Sequence, residues 1–586
     1  MQMDGARLVD ELIGRPARTT PDKQIVFHRD TVRGEWHAIN CLKLHSLVEE
    51  MQTYLQSSGI HSGAIVGIVL PSSVTWEVVR FACLQIGATV VGLDHHDLGD
   101  TFTHVVAISQ AQYLITDEAA HQQLNLADYA SVTAAVVIDT DQPTLPIEAR
   151  ARLISSTQPA GEDARNRDRE SDQHADVAAI VFTSGTGSKP KGIGYSATQI
   201  ILAVSAILDA FPELDSTRRT ACWLPLSNLF QQIVNLCALK AGAPIYFVED
   251  PRKIMQLLPQ IRPIVLVGVP RFFEKAFESI SARFAKLPAP LAGVIDFLLR
   301  HAGSRTAAGR FWAMLAKPFF SPVRNAFGGQ IAFFISGSAP MQPRLLQRFD
   351  ALGLPIFEAY GLSENIVPVA VNRPAAYRFG SVGKPLGQNE LKIASDGELW
   401  CRGHGVCRQY LKSEQQPSLD PDGFLATGDY AKLDADGYLW LTGRKSEGFK
   451  TSTGRLIAPT EIEACLAGIP AIDQAVAFGA SRKFITLLVT LRPPYPDTTG
   501  MLSIVGEVRR ATRTLADYKR PAGVVLLQHT FSPSDGELTA NLKLKRRAVA
   551  QKYADRIDAL YAKIEHNQFD ADTLLPWGDS SFLARL

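Results

Sequence analysis

Short, continuous apolar runs alternate with amphipathic stretches through most of the chain, and this alternation narrows the possible folds more than any other feature. Residues 65–70 read Ile-Val-Gly-Ile-Val-Leu, a run with no polar face. Val74, Val78, Phe81 and Ala82 follow at helical spacing, and residues 89–93 resume strand character. Further apolar runs lie at 178–182, 244–248, 264–269, 331–335 and 355–357. A strand that is apolar on both faces must be covered on both faces, and amphipathic helices between strands supply that cover. The pattern therefore predicts the α/β class, with doubly wound parallel sheets. Such sheets place their chemistry on loops beyond the carboxyl ends of the strands. The chain has 586 residues, enough for several packed units at roughly 100–200 residues each. Near Gly443 the pattern changes to a smaller α+β unit. There Thr460-Glu-Ile-Glu463 reads as a capping box, residues 484–491 as a strand, and residues 543–563 as a basic helical tail.

Charge and composition remove several function classes. Sixty Lys and Arg against 59 Asp and Glu leave a net charge of +1, too little to draw the chain onto nucleic acid. No apolar run approaches the roughly 18 residues that span a bilayer. No apolar segment follows the charged first residues, so no secretory leader is expected and the expected location is cytoplasmic. Seven cysteines form no C-x-x-C pair, which favours reduced thiols over disulfides or a zinc site. Residues 159–176 are almost without apolar side chains and read as a solvated loop. Residues 283–322 carry Leu287, Leu291, Phe297, Leu298, Phe311, Trp312, Leu315, Phe319 and Phe320. A membrane-skimming face would need a fuller basic rim, so a core or a lid over an apolar pocket is expected there, with peripheral membrane contact as the alternative.

The strongest local signal follows the apolar run at 178–182. It consists of Thr183, Ser184, Gly185, Thr186, Gly187, Ser188, Lys189, Pro190, Lys191 and Gly192. Such a loop can wrap phosphate oxygens: glycine lets the backbone approach, hydroxyls donate, and Lys191 supplies charge. Pro190 occupies the place of the second glycine in a Walker loop and also breaks the dinucleotide G-x-G-x-x-G pattern.

This loop resembles the phosphate loop of the adenylate-forming superfamily, which includes acyl-CoA synthetases, peptide-synthetase adenylation domains and luciferases. The family loop reads T-S-G-T-T-G-x-P-K-G; here Gly187-Ser188 stand where Thr-Gly is usual. Other family blocks follow in order. Ile335-Ser-Gly337-Ser338-Ala339-Pro-Met341 resembles the turn that flanks adenine. Glu358-Ala359-Tyr360-Gly361-Leu-Ser363-Glu364 resembles the aromatic-Gly-x-Ser/Thr-Glu block. Then come Gly380-Ser-Val-Gly-Lys-Pro385, Gly423-Phe-Leu-Ala-Thr-Gly-Asp429, Gly437-Tyr-Leu-Trp-Leu-Thr-Gly-Arg444, Thr451-Ser-Thr-Gly454-Arg-Leu-Ile-Ala-Pro459 and Leu538-Thr-Ala-Asn-Leu-Lys543. The resemblance spans 183–543; before it the chain matches only in general pattern.

The resemblance implies ATP, Mg²⁺ and CoA as ligands. Tyr360 would stack on adenine and Ser338–Ala339 would meet its edge. Asp429 and Arg444 would hold the ribose, and Glu364 would hold Mg²⁺. Lys543 would meet the α-phosphate and carboxylate, and Gly454 would line the thiol tunnel. It also implies a large domain over 1–443 with a small barrel-like subdomain, a hinge at 444–446, and a mobile α+β lid over 447–586. Residues 268–275, 329–340 and 451–459 look closest to long-chain acyl-CoA synthetases. Asn228 departs from the pattern, standing where a substrate-pocket His is usual. So do Gln231-Gln232, in place of Glu-Arg, and Gln409, in place of a Gly. The leading expectation is an ATP-dependent acid:CoA ligase acting on a hydrophobic, fatty carboxylate through an acyl-adenylate. One alternative keeps adenylation and changes the partner: a carrier protein, an amine, the substrate's own hydroxyl, or nitrite as the activated oxyanion. A non-catalytic adenylate sensor is disfavoured, because it has no need of Glu364, Asp429, Arg444 and Lys543 together.

Overall fold

The apolar run at 65–70 becomes Ile65–Val69, the central strand of a seven-stranded sheet. The order is Ala151–Ser155, Ala134–Ile138, Tyr113–Thr116, Ile65–Val69, Thr89–Gly92, Val177–Phe182, Gly192–Ser196. The five inner strands pair in parallel and the two edge strands antiparallel. The computed structural model describes all residues except 1–2, 31–32, 96–97, 156–175, 184–189, 304–305, 533, 539–543, 567–573 and 577–580. Most of the polar stretch 159–176 therefore lies outside the described residues.

Helix Val74–Ile86 begins at Ser73, whose hydroxyl accepts from the Trp76 amide at 3.2 Å, and ends at Gly87 in the left-handed region, φ +86°. Every residue of it but Gln85 is buried, because the sheet lies on one side and helices Gly5–Val9 and Cys41–Ser57 on the other. Each large apolar side chain so covered contributes about 1.5–3 kcal/mol. The same burial takes in Glu77 and Arg80, which then need partners.

A second sheet runs Val265–Gly268, Phe333–Ser336, Ile356–Leu362, Asn365–Val371, Lys384–Pro385, parallel over the first three strands. Gly383 allows its last turn. A Cβ there would lie 2.0 Å from the Val371 carbonyl carbon, and φ is +89°. A third, mixed sheet joins Thr220–Cys222, Ile245–Phe247, Gln24–Arg29 and Trp36–Asn40.

By internal packing the chain divides into Met1–Leu391 with Cys401–Ala426, and Lys392–Trp400 with Thr427–Leu586. The second unit holds a mixed five-stranded sheet, in the order Ile472–Phe478, Ile485–Leu491, Pro521–Leu527, Ser581–Arg585, Leu574–Pro576. Along Ile485–Leu491, Leu487, Val489 and Leu491 pack with helix Thr498–Thr512, while Leu488 packs with helix Ala554–Glu565. This is the period-2 alternation of a strand buried on both faces. The basic tail is helical over Arg546–Lys552 and Ala554–Glu565.

Two sequence expectations need correction. The capping box at Thr460–Glu463 does not form. Helix Pro459–Leu466 has its N-cap at Ala458, two residues earlier, with proline in its first turn and no side-chain cap. Glu463 is drawn away instead: it accepts from the Ala477 amide at 2.8 Å and from Arg546 Nη1 at 2.6 Å. In the stretch 283–322, Leu298 and Phe320 are buried as expected of a core, but Phe297, Phe311, Leu315 and Phe319 are exposed. Among the described residues no helix is long and apolar enough to cross a membrane.

Candidate active site

The phosphate-loop candidate connects Val177–Phe182 to Gly192–Ser196, two antiparallel strands, and helix Ala197–Ala210 follows. Its base is closed by two bonds. The Thr183 amide donates to the Lys191 carbonyl at 3.0 Å, and the Lys191 amide donates to Thr183 Oγ1 at 3.0 Å. Ser184, Gly185, Thr186, Gly187 and Ser188 lie outside the described residues, as does Lys543.

Lys191 leads to the second predicted residue, Glu364. Lys191 Nζ sits 4.8 Å over the ring of Tyr410 and donates to Gln415 Oε1 at 3.1 Å. The Tyr410 hydroxyl in turn donates to Glu364 Oε1 at 2.7 Å. Burial and the bond to Glu364 push the Tyr410 phenol well up from its usual range, so it stays a donor. Ser363 accepts from the Tyr195 hydroxyl, and the Glu364 carbonyl accepts from the Cys407 amide at 2.8 Å. Three chain segments thus bring Lys191, Glu364, Tyr410 and Gln415 together. The sequence reading missed Tyr410 and Gln415 as site residues, since no local spacing marks a partner 46 residues from Glu364.

The predicted adenine turn follows the carboxyl end of Phe333–Ser336, where an open parallel sheet leaves room for a ligand. Gly337 is buried, Ser338 and Ala339 are exposed, and Ser338 takes a left-handed φ of +73°. Glu358, Ala359, Tyr360 and Gly361 lie on the neighbouring strand, with Glu358 in register with Ser336. Tyr360 is buried and Gly361 exposed. Glu358 is 5 % exposed and accepts from the Met341 amide at 3.0 Å. Burial outweighs its bonds from the Met341 and Gly380 amides and pushes its carboxyl up to about 7.

The shift of Glu358 has a definite sign in stability. The folded state holds the proton more tightly than the unfolded chain does, so this group weakens folding as pH rises from about 4.5 to about 7. Glu358→Gln, which copies the neutral acid, should match wild type below that window and be the more stable form above it. Urea unfolding at several pH values tests this, and a pH-independent difference would refute it.

Asn228 has a structural duty that the sequence did not show. Its side-chain oxygen accepts from the Phe230 amide at 3.1 Å and caps helix Leu229–Ala241. Phe230 then lies 3.6 Å from where a Gly337 Cβ would stand. Gln231 and Gln232 are buried connectors. Gln231 Oε1 accepts from the Leu224 amide at 3.2 Å, and Gln232 Nε2 donates to the Leu226 carbonyl at 2.7 Å.

In the second unit, antiparallel pairing of Leu425–Leu433 with Leu439–Arg444 puts Asp429 opposite Arg444. Arg444 Nε stands 3.1 Å from Asp429 Oδ1, with the carboxylate side chain 8 % exposed and the arginine 62 % exposed. The next residue, Lys445, bonds Glu398 Oε2 at 2.6 Å and Asp396 Oδ2 at 2.8 Å; both bonds raise its ammonium pKa. Gly454 occupies an exposed turn with φ +78° and open space where a Cβ would be.

The chain matches two family descriptions, AMP-binding enzyme over residues 14–411 and AMP-binding enzyme C-terminal domain over 449–565. It is 28 % identical over 575 residues to the long-chain-fatty-acid–CoA ligase FadD15 of Mycobacterium tuberculosis, covering 92 % of this chain and 95 % of that one. It is 26 % identical over 593 residues to the human long-chain-fatty-acid–CoA ligase ACSBG2, covering 90 % and 88 %. The fold resembles o-succinylbenzoate coenzyme A synthetase (MenE) of Bacillus subtilis in complex with ATP and magnesium ion. The TM-score is 0.66 at 20 % identity, over 92 % of this chain and 98 % of that one. With its first match alone covering more than half of its length, the chain belongs to the AMP-binding enzyme family, the adenylate-forming ligases that include the acyl-CoA synthetases.

Proposed function

We propose that the protein is an ATP-dependent acid:CoA ligase for a hydrophobic, fatty carboxylate. The observations that carry this reading are two clusters of side chains, one within each unit. In the first unit Lys191 and Glu364 are joined through Tyr410, all three on loops and turns; in the second Asp429 pairs with Arg444. In the first half-reaction a carboxylate oxygen attacks the α-phosphorus of ATP and pyrophosphate leaves. In the second, the CoA thiolate attacks the acyl carbon and AMP leaves. The curated relatives named for long-chain fatty acids support the substrate class.

Each residue has a physical task. Lys191 and the hydroxyls Thr183, Ser184, Thr186 and Ser188 bind phosphate oxygens. Ser338, Ala339 and Tyr360 form the adenine subsite. Glu364 is a hard oxygen donor suited to Mg²⁺, oriented by the Tyr410 hydroxyl on its Oε1. When bound, Mg²⁺ offsets phosphate charge. Lys543 supplies the cation to the pentacoordinate phosphorus. Residues 447–586 serve as a lid that turns about 444–446 between the half-reactions and brings Gly454 to the thiol path. The enzyme is placed in the cytoplasm.

Asp429→Ala should weaken ATP binding by about tenfold or more, since it removes a charge-assisted acceptor for the ribose diol. Titration with a non-hydrolysable ATP analogue checks this, and unchanged affinity would remove Asp429 from the site. The function itself is tested with ATP, Mg²⁺ and acids of graded chain length, following pyrophosphate release with and without CoA. CoA-dependent turnover on long-chain acids is expected. Adenylate that accumulates until a carrier protein or amine is added would overturn the choice of acceptor, and no turnover with any acid would overturn the function.

A further inference from the structure

The apolar stretch that fails to become core forms a surface of defined shape. Helix Ala307–Ala326 packs inward through Gly309, Ala316 and Phe320. On its outer side Phe311, Met314, Leu315, Pro318, Phe319 and Pro322 are all exposed, at spacings of three and four that make one continuous stripe. Phe311 is 52 % exposed and Met314 57 %. Helix Ala289–His301 lies alongside and adds Phe297, whose ring meets Trp312 edge-on at 5.1 Å. Left in water, a contiguous stripe of this kind is unfavourable, and such patches mark a binding face.

Charge identifies the partner. Arg310, Lys317 and Arg324 recur at intervals of seven and so form one row along the edge of the stripe. No Asp or Glu occurs between Asp296 and Asp350. The single acid on the two helices, Asp296, is ion-paired with Arg300, so a second copy laid on the same face would bring a net basic surface against it, and like charges would repel. A bilayer with anionic headgroups instead offers acyl chains to the stripe and phosphates to the basic row.

We propose that the outer face of helices Ala289–His301 and Ala307–Ala326 docks on the surface of an anionic phospholipid membrane, with Phe311, Met314, Leu315 and Phe319 entering the headgroup–acyl boundary. The proposal stands apart from the ligase reading, since its test measures partitioning and not turnover.

The test floats the full chain with vesicles of phosphatidylcholine alone, or of phosphatidylcholine with phosphatidylglycerol, at low and high salt. Partitioning is expected on the anionic vesicles, weakened by salt. Phe311→Ser with Phe319→Ser should lower it by about tenfold. Arg310→Ala with Lys317→Ala should lower it by about tenfold on anionic vesicles and leave the neutral ones unaffected. Both pairs are at the surface, and near-UV circular dichroism confirms that the variants fold. The proposal is overturned if neither vesicle is bound, if both double variants bind as wild type does, or if light scattering shows a dimer that the Phe311/Phe319 variant abolishes.

Discussion

Lys543→Ala should lower acid-dependent ATP–pyrophosphate exchange by a factor of about a few hundred while leaving intact the CoA-dependent consumption of a supplied acyl-adenylate. The reason lies in when charge develops. During adenylation the α-phosphorus becomes pentacoordinate and its negative charge spreads, so a preorganised cation counts most at that moment, roughly 3–4 kcal/mol. In the thiol step the phosphorus stays tetrahedral within the departing AMP, and the lysine is not needed at the acyl carbon. Measuring both half-reactions on one preparation separates this from general damage. Exchange near the wild-type rate would remove Lys543 from its role, and equal loss of both half-reactions would point to a structural one.

Glu77→Ala should destabilise the first unit by about 3–5 kcal/mol. Glu77 and Arg80 pair one turn apart inside helix Val74–Ile86, with side chains 6 % and 5 % exposed. The guanidinium lies 4.8 Å from the centre of the Phe81 ring. Asn235 Nδ2 donates to Glu77 Oε1 at 2.8 Å, and Gln231 Nε2 donates to Asn235 Oδ1 at 2.9 Å. Truncating Glu77 strands a buried cation and also releases Asn235. Glu77→Ala combined with Arg80→Leu should recover a large part of the loss, because the cost lies in the uncompensated charge. Thermal unfolding of the intact chain, following its first transition, reads this out. A loss below about 1 kcal/mol for the single variant would show the pair to be dispensable.

This network also accounts for one of the departures from the family pattern. In sequence, Gln231-Gln232 stand where the family pattern has Glu-Arg. In the fold both glutamines are buried and close local backbone groups, and Gln231 ties the helix that carries Asn228 and Phe230 to Glu77 through Asn235. Their chemistry is structural here, while Phe230 lies beside Gly337 of the predicted adenine turn.

Several features were legible because they are local. The apolar runs became strands because a strand covered on both faces needs no polar alternation. The order of family blocks carried the family, and where a described block closes a tight turn its backbone demands a particular residue, as Gly383 shows against Val371. The Asp429–Arg444 pairing was close to legible, because a short hairpin sets the register of its two strands.

What the residue order determined by itself was therefore the α/β class and the block series that carries the family, both governed by neighbours a few residues apart. The tertiary structure alone decided that Tyr410 orients Glu364, that Glu463 leaves its own helix end for Arg546, and that the stripe on Ala307–Ala326 faces outward. The physical reason is the same in all three. Periodicity describes which side chains share a face, but which face is covered, and by what, depends on the path the chain takes between residues far apart in sequence.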